Sequence, residues 1–151
     1  MRRYPARPIL GVGAVVFDDN RVLLVKRAHE PLKGEWSLPG GAVDVGETLA
    51  VAVAREVREE TSLEVEVGPL VEIVERITRD VDGRVEYHFV ITDYLCWLRG
   101  GALAPASDAS AAEWAPLDEL DRFRLTDTAV RVIAKARALG GVDLLPDGAR
   151  I

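Results

Sequence analysis

Cysteine is almost absent. Cys96 is the only one among 151 residues, so the chain can close no internal disulfide. Long apolar runs are missing too, and stretches such as Val12 to Phe17 fall far short of a bilayer span. The start, Met1-Arg2-Arg3-Tyr4-Pro5, carries basic residues with no apolar core after them, so no secretory leader is expected and a cytoplasmic protein is. Positive charge is in deficit, with 19 basic residues against 25 acidic ones and a net charge of −6. That argues against adhesion to long nucleic acid or to an anionic membrane through bulk charge. What is present is ordinary for a globular protein: 48% hydrophobic and 29% charged residues, which rules out wholesale disorder. A chain of 151 residues is long enough for one domain with a full core and no staples.

The pattern along the chain begins with two β-branched runs, Ile9 to Phe17 and Arg21 to Val25, split by Asp18-Asp19-Asn20 as in a hairpin. From His29 to Val45 the residues Pro31, Gly34, Pro39, Gly40 and Gly41 predict a shaped loop. Thr48 to Thr61 reads as a helix, with Thr48 as N-cap and Leu49, Val53 and Val57 at every fourth position. Strand patterns follow over Glu64 to Val67, Val71 to Ile77 and Val85 to Leu98, with an Asp82-Gly83 turn before the last. A small-residue loop from Gly100 to Ser110 precedes a short strand around Glu113 to Ala115. Thr126 to Leu139 predicts a second helix with Val130, Ile133 and Ala134 as its apolar stripe, ended by Gly140-Gly141. The order predicts an α/β (α+β) single domain over residues 1–151, a mixed sheet sandwiched between helices, with its core over about 9–139 and a loose tail over 142–151.

One constellation carries chemistry. Glu56, Glu59 and Glu60 stand at i, i+3 and i+4 of the first helix. At about 100° per residue their carboxylates fall within an arc of roughly 100°. Such a cluster repels itself unless something positive sits among it, and hard cations such as Mg²⁺ or Mn²⁺ take oxygen donors. A carboxylate beside a metal can also accept a proton from the bound water. The bland alternative is a solvated acidic face paired with Arg55 and Arg58.

The context favours the first reading. From Gly41 to Leu63 the chain reads Gly-x5-Glu-x7-Arg-Glu-Val-x-Glu-Glu-x-Ser-Leu, fixing Gly41, Glu47, Arg55, Glu56, Glu59 and Glu60, with Val57 and Leu63 at two aliphatic positions. This resembles the box of the Nudix hydrolases, with Ser62 in place of the box's last glycine. That glycine follows a helix end where φ > 0 is often needed, so serine there costs about 1 kcal/mol of strain. The flanks agree: Gly34-Glu35-Trp36-Ser37-Leu38-Pro39 leads into the box, and Glu113-Trp114-Ala115-Pro116-Leu117 is similar to a later strand and turn of the family.

The resemblance implies a Nudix fold with a loop-helix-loop catalytic box, and hydrolysis of a nucleoside diphosphate linked to another group. It implies Mg²⁺ or Mn²⁺ held by Glu56, Glu59, Glu60 and the carbonyl of Gly40. One of these glutamates, or an acid on a neighbouring loop, would be the general base, and Asp108 is a further metal-ligand candidate. Arg55 and Glu47 are expected to orient the loop against the helix through an ion pair. Lys26 and Arg27 are candidates for the phosphates, and Trp36 and Tyr87, with Phe89 and Trp97, for stacking on a base. His29 and His88 have no spacing partner for zinc, and Cys96 reads as a small buried hydrophobe.

Substrate markers are sparser. There is no glutamine, and the single asparagine, Asn20, lies in an expected turn, so the asparagine with which MutT-type enzymes read oxidised guanine has no counterpart. Ile77-Thr78-Arg79 lacks the proline of the ADP-ribose subgroup and the tyrosine of the diadenosine-polyphosphate one, and no Pro-rich NADH-type stretch follows the box. Tyr87-His88-Phe89-Val90 and the Gly-Gly loop after it nevertheless resemble compact ADP-ribose-type enzymes. ADP-ribose or a related nucleotide sugar is therefore the leading expectation, with nucleoside triphosphates, oxidised ones included, as the alternative. A nucleotide-binding sensor that does not cleave is the non-enzymatic one, but such modules lose box acids that are all kept here. The partner is a small nucleotide, and the exposed strands are compatible with a homodimer.

Overall fold

The computed structural model describes residues 2–105 and 109–140. Its spine is β1 (Ile9–Asp18), which turns at Asp19-Asn20 into β2 (Arg21–Arg27). Two short strands follow, β3 (Trp36–Ser37) and β4 (Gly40–Ala42), then α1 (Leu49–Thr61). A long hairpin, β5 (Glu64–Arg79) and β6 (Val85–Gly100), leads to β7 (Ala109–Pro116), a 3₁₀ turn at Leu117–Phe123 and α2 (Asp127–Ala138). The strands form one mixed sheet in the order β3-β2-β1-β6-β5, with β4 paired to β1 and β7 to β2. β1 and β6 run parallel from Ile9↔Phe89 to Val16↔Cys96.

The unbroken apolar run in β1 follows from its place, because both of its faces are covered. Val12, Ala14 and Val16 pack with Ala52, Val53 and Val57 of α1. Val15 and Phe17 pack with Val132, Ile133 and Ala136 of α2. The sheet is thus sandwiched between helices, as the element order predicts. Among the described residues no helix is long and apolar enough to cross a membrane.

Both helix starts lie where the sequence puts them. Thr48 Oγ1 accepts from Val51 N and Thr126 Oγ1 from Ala129 N, each satisfying an otherwise orphaned first-turn donor. Other details differ. The stripe of α2 is Val132, Ile133 and Ala136, whereas Val130 and Ala134 are exposed, because the helix sits rotated on the sheet. The Glu64–Val67 and Val71–Ile77 segments are one strand, since a bulge between Val67 and Leu70 absorbs Gly68-Pro69 without ending the pairing. β7 is longer than expected and starts at Ala109 because it pairs with all of β2. The expected tail over 142–151 lies outside the described residues.

Ser62 closes α1 in the left-handed region (φ 66°, ψ 11°) and donates its hydroxyl to Ala104 O at 3.2 Å.

Candidate active site

The inner face of α1 is where apolar logic meets charge. Its buried residues are Ala52, Val53, Glu56, Val57, Glu60 and Thr61, so two of the three glutamates lie on the packed side of the helix. Glu56 is 6% exposed and Glu60 5%, which overturns the solvated-face alternative for that pair. Glu59 is half-buried at the rim, its side chain 40% exposed.

Backbone from the Pro39-Gly40-Gly41 segment closes over them. Gly40 N–H donates to Glu60 Oε1 at 2.7 Å. At Gly41 an added Cβ would come within 2.5 Å of Glu56 Oε1, so only glycine lets the chain cross this carboxylate.

Arg55 supplies positive charge among the acids. Its Nε donates to Glu47 Oε2 at 2.6 Å, and its Nη2 to Glu47 Oε1 at 2.8 Å and to Ala42 O at 3.1 Å. Its Nη1 donates to Glu56 Oε1 at 2.9 Å and Glu59 Oε2 at 3.1 Å. All five guanidinium N–H groups are thereby used. Hydrogen bonds from Arg55, then one from the Asp44 N–H, hold the Glu47 carboxyl down at about 2. Arg55 is itself pushed above its ordinary value, chiefly by Glu47. Lysine could not reproduce this planar fork.

Glu56 and Glu60 line a cavity of about 320 Å³ together with Gly11, Gly40 and Gly41. Arg2, Arg27, His29 and Arg76 line the same cavity. Burial lowers the pKa of Arg27, as do Arg76 and Arg2 nearby, while Glu60 opposes this. Its Nε donates to Pro31 O at 2.7 Å, which fixes the side chain. Cations that repel one another across a shallow space gain from an anion placed between them.

The other expected residues scatter. Trp36 lines a neighbouring cavity and meets Phe123 edge-on at 5.2 Å between ring centroids. Tyr87 stacks on Phe89 at 6.1 Å, and it is Phe89 that reaches the glutamate-lined cavity. Lys26 pairs in register with Trp36 and Ala111 and lines neither space. Trp97 packs on the α2-side core, and Cys96 is buried, its thiol pushed up to about 12 mainly by desolvation. Asp108 lies outside the described residues. Arg2, Arg76 and Asp93 escaped the sequence reading. Asp93 alone left a signal, a charge in register with Ile91 and Leu95 on an apolar strand face.

This arrangement matches one family. The NUDIX domain family matches residues 7–136. The chain belongs to the NUDIX domain family. An ADP-ribose pyrophosphatase of Methanocaldococcus jannaschii is 38% identical over 77% of the chain, and the chain spans 66% of that relative's length. A MutT NUDIX hydrolase from Burkholderia pseudomallei superposes with a TM-score of 0.72 at 32% identity, covering 85% of this chain and 98% of its own. The NUDIX domain of Shewanella oneidensis NrtR, solved with ADP ribose, reaches 0.69 at 28% identity over 89% of this chain and 90% of its own.

Family membership implies a divalent cation. Among the described residues no three side chains form a ready-made cation cage, since Arg55 holds Glu56 and Glu59. The donor set still fits: it is anionic and all oxygen, with two buried carboxylates at the cavity wall.

Proposed function

We propose that this NUDIX protein hydrolyses the diphosphate bond of a nucleoside diphosphate joined to a second group, ADP-ribose or a related nucleotide sugar before others, in a reaction that depends on Mg²⁺ or Mn²⁺. One observation carries the reading: two buried glutamates, three arginines and three glycines line one cavity. A diphosphate needs both kinds of group, cations to bind its oxygens and acids to gather positive charge against its repulsion. The ADP-ribose pyrophosphatase and the ADP-ribose complex among its relatives support the substrate class.

Arg27 and Arg76 bind non-bridging phosphate oxygens, and Arg2 adds charge at the mouth. Glu56, Glu59, Glu60 and the Gly40 carbonyl would hold the cation. When bound, it would neutralise phosphate charge and acidify a water. The bond from Gly40 N–H keeps Glu60 from swinging, and Arg55 keeps Glu56 aimed at the cavity, so both act from fixed positions. The proton of the attacking water passes to one of the three glutamates; Glu59, anchored only at its rim, is the freest to move. Glu47 positions Arg55 and does not meet the substrate.

The test is product release from a panel of ADP-ribose, nucleotide sugars, diadenosine polyphosphates, NADH and normal and oxidised triphosphates, each with Mg²⁺, Mn²⁺ or chelator. A nucleotide sugar ahead of the rest, at kcat/KM of about 10⁴ M⁻¹s⁻¹ or more and silenced by chelator, is the expected result. Binding without turnover on every compound would point to a sensor.

A further inference from the structure

A second, smaller cavity of about 100 Å³ adjoins the glutamate-lined one, and Arg27, Arg76, Gly40 and Ile91 line both. Its character is different. Trp36, Leu38, Val74 and Val132 give it apolar walls, Glu35 and the two arginines are also among its lining, and the buried carboxylate of Asp93 is set among them. Asp93 is only 5% exposed, and its carboxylate makes no hydrogen bond or ion pair among the described residues. It lies against Gly13, where any side chain would overlap it, so β1 leaves the room this carboxylate fills.

A buried carboxylate without donors costs stability. Core packing gives no reason for it, because an apolar side chain of similar shape would fill the same space without that cost. The natural occupant of such a space is a group that brings donors of its own. A phosphate is excluded, as its charge repels Asp93. A sugar is a poorer fit, since each hydroxyl needs a partner, the walls beside Asp93 are largely apolar, and two nearby hydroxyls are engaged: Thr126 Oγ1 caps α2 and Ser37 Oγ bonds Leu38 O. A flat heterocycle bearing an amine needs apolar contact on its faces and one strong acceptor at its edge, and the cavity offers both.

We propose that the second cavity seats the nucleobase of the substrate and that Asp93 is its specificity residue, accepting a hydrogen bond from an exocyclic amine such as that of adenine. The inference rests on the reading of the first cavity as the diphosphate site. Arg27 and Arg76, shared by the two spaces, then hold the phosphate that links base-bearing ribose to the scissile bond.

The test compares ADP-ribose with its counterpart carrying unsubstituted purine, in which hydrogen replaces the amine. The wild-type chain should prefer the amine by about 10-fold or more in kcat/KM, and Asp93→Leu should bring that ratio close to one while the purine counterpart is still turned over. An unchanged ratio in a turning-over Asp93→Leu protein would overturn the inference and leave the hydrolase reading standing. A wild-type chain that cleaves neither compound would count against the hydrolase reading. Calorimetry on the wild-type chain with Mg²⁺ then decides the subsite without any variant. AMP should bind about 10-fold tighter than purine riboside 5′-monophosphate, and tighter still than ribose 5-phosphate. Equal affinities for the three would overturn the proposal.

Discussion

Replacing Asp93 with asparagine keeps the shape of the side chain and removes its charge, so it isolates what that charge costs the fold. Burial, with a smaller push from Glu72, raises the Asp93 carboxyl from 3.8 to about 6, against the opposing pull of Arg76. Arg27 and Glu35 also line the cavity beside it. A carboxyl whose pKa is higher in the folded state destabilises the fold when ionised. The cost is nil below the unfolded value, grows as pH rises from about 4 to 6, and is complete above that. Two units at 1.36 kcal/mol each give roughly 3 kcal/mol, an upper bound because the cavity admits solvent that screens the charge. The advantage of Asp93→Asn over wild type should therefore rise by roughly 2 kcal/mol between about pH 4.5 and pH 8, whatever constant offset the amide introduces. Urea unfolding with matched m-values at several pH values measures it. A difference between the two proteins that is flat with pH would refute the reasoning.

Four further predictions concern the acids of α1, Arg55, Glu47 and the helix cap at Ser62. Glu60→Gln and Glu59→Gln should each lower kcat by several orders of magnitude with the fold intact by circular dichroism, and unchanged kcat in both would sink the assignment of the acids. Arg55→Ala removes the guanidinium from a carboxylate buried at 6% exposure and from Glu47, so it should cost about 3 kcal/mol by chemical unfolding, and Arg55→Lys should recover little of it. The same pair sets an acid limb: with Glu47 held down at about 2, its contribution is present above about pH 4.5 and lost as pH falls toward 2, and Glu47→Gln should flatten that limb. Ser62→Gly relieves a left-handed φ of 66° at the expense of an exposed 3.2 Å hydrogen bond, so Tm should rise slightly. A clear fall in Tm would show that the bond to Ala104 outweighs the strain.

Local rules carried far. Thr48 and Thr126 announce helix starts because an N-cap is a property of a few neighbouring residues, and the acids of α1 are legible because helical spacing places them. What depends on tertiary contact was not. Gly68-Pro69 looks like a strand end, and only pairing with β6 shows it to be a bulge. The rotation of α2 that buries Val132 instead of Val130 is decided by the sheet beneath it. Arg2 and Arg76 reach the cavity from segments distant in sequence, which no motif marks. Asp93 was visible as a charge on an apolar strand face, but its lack of a partner is a fact of three dimensions.

The most direct test of the central claim is ³¹P NMR of ADP-ribose incubated with the wild-type chain and with Glu60→Gln, with and without chelator. Cleavage of the diphosphate should convert its two coupled resonances into AMP and ribose 5-phosphate, for the wild type with Mg²⁺ or Mn²⁺ only. If Glu60→Gln or the chelated enzyme formed the two monophosphates at the wild-type rate, the buried glutamates would not be the catalytic centre.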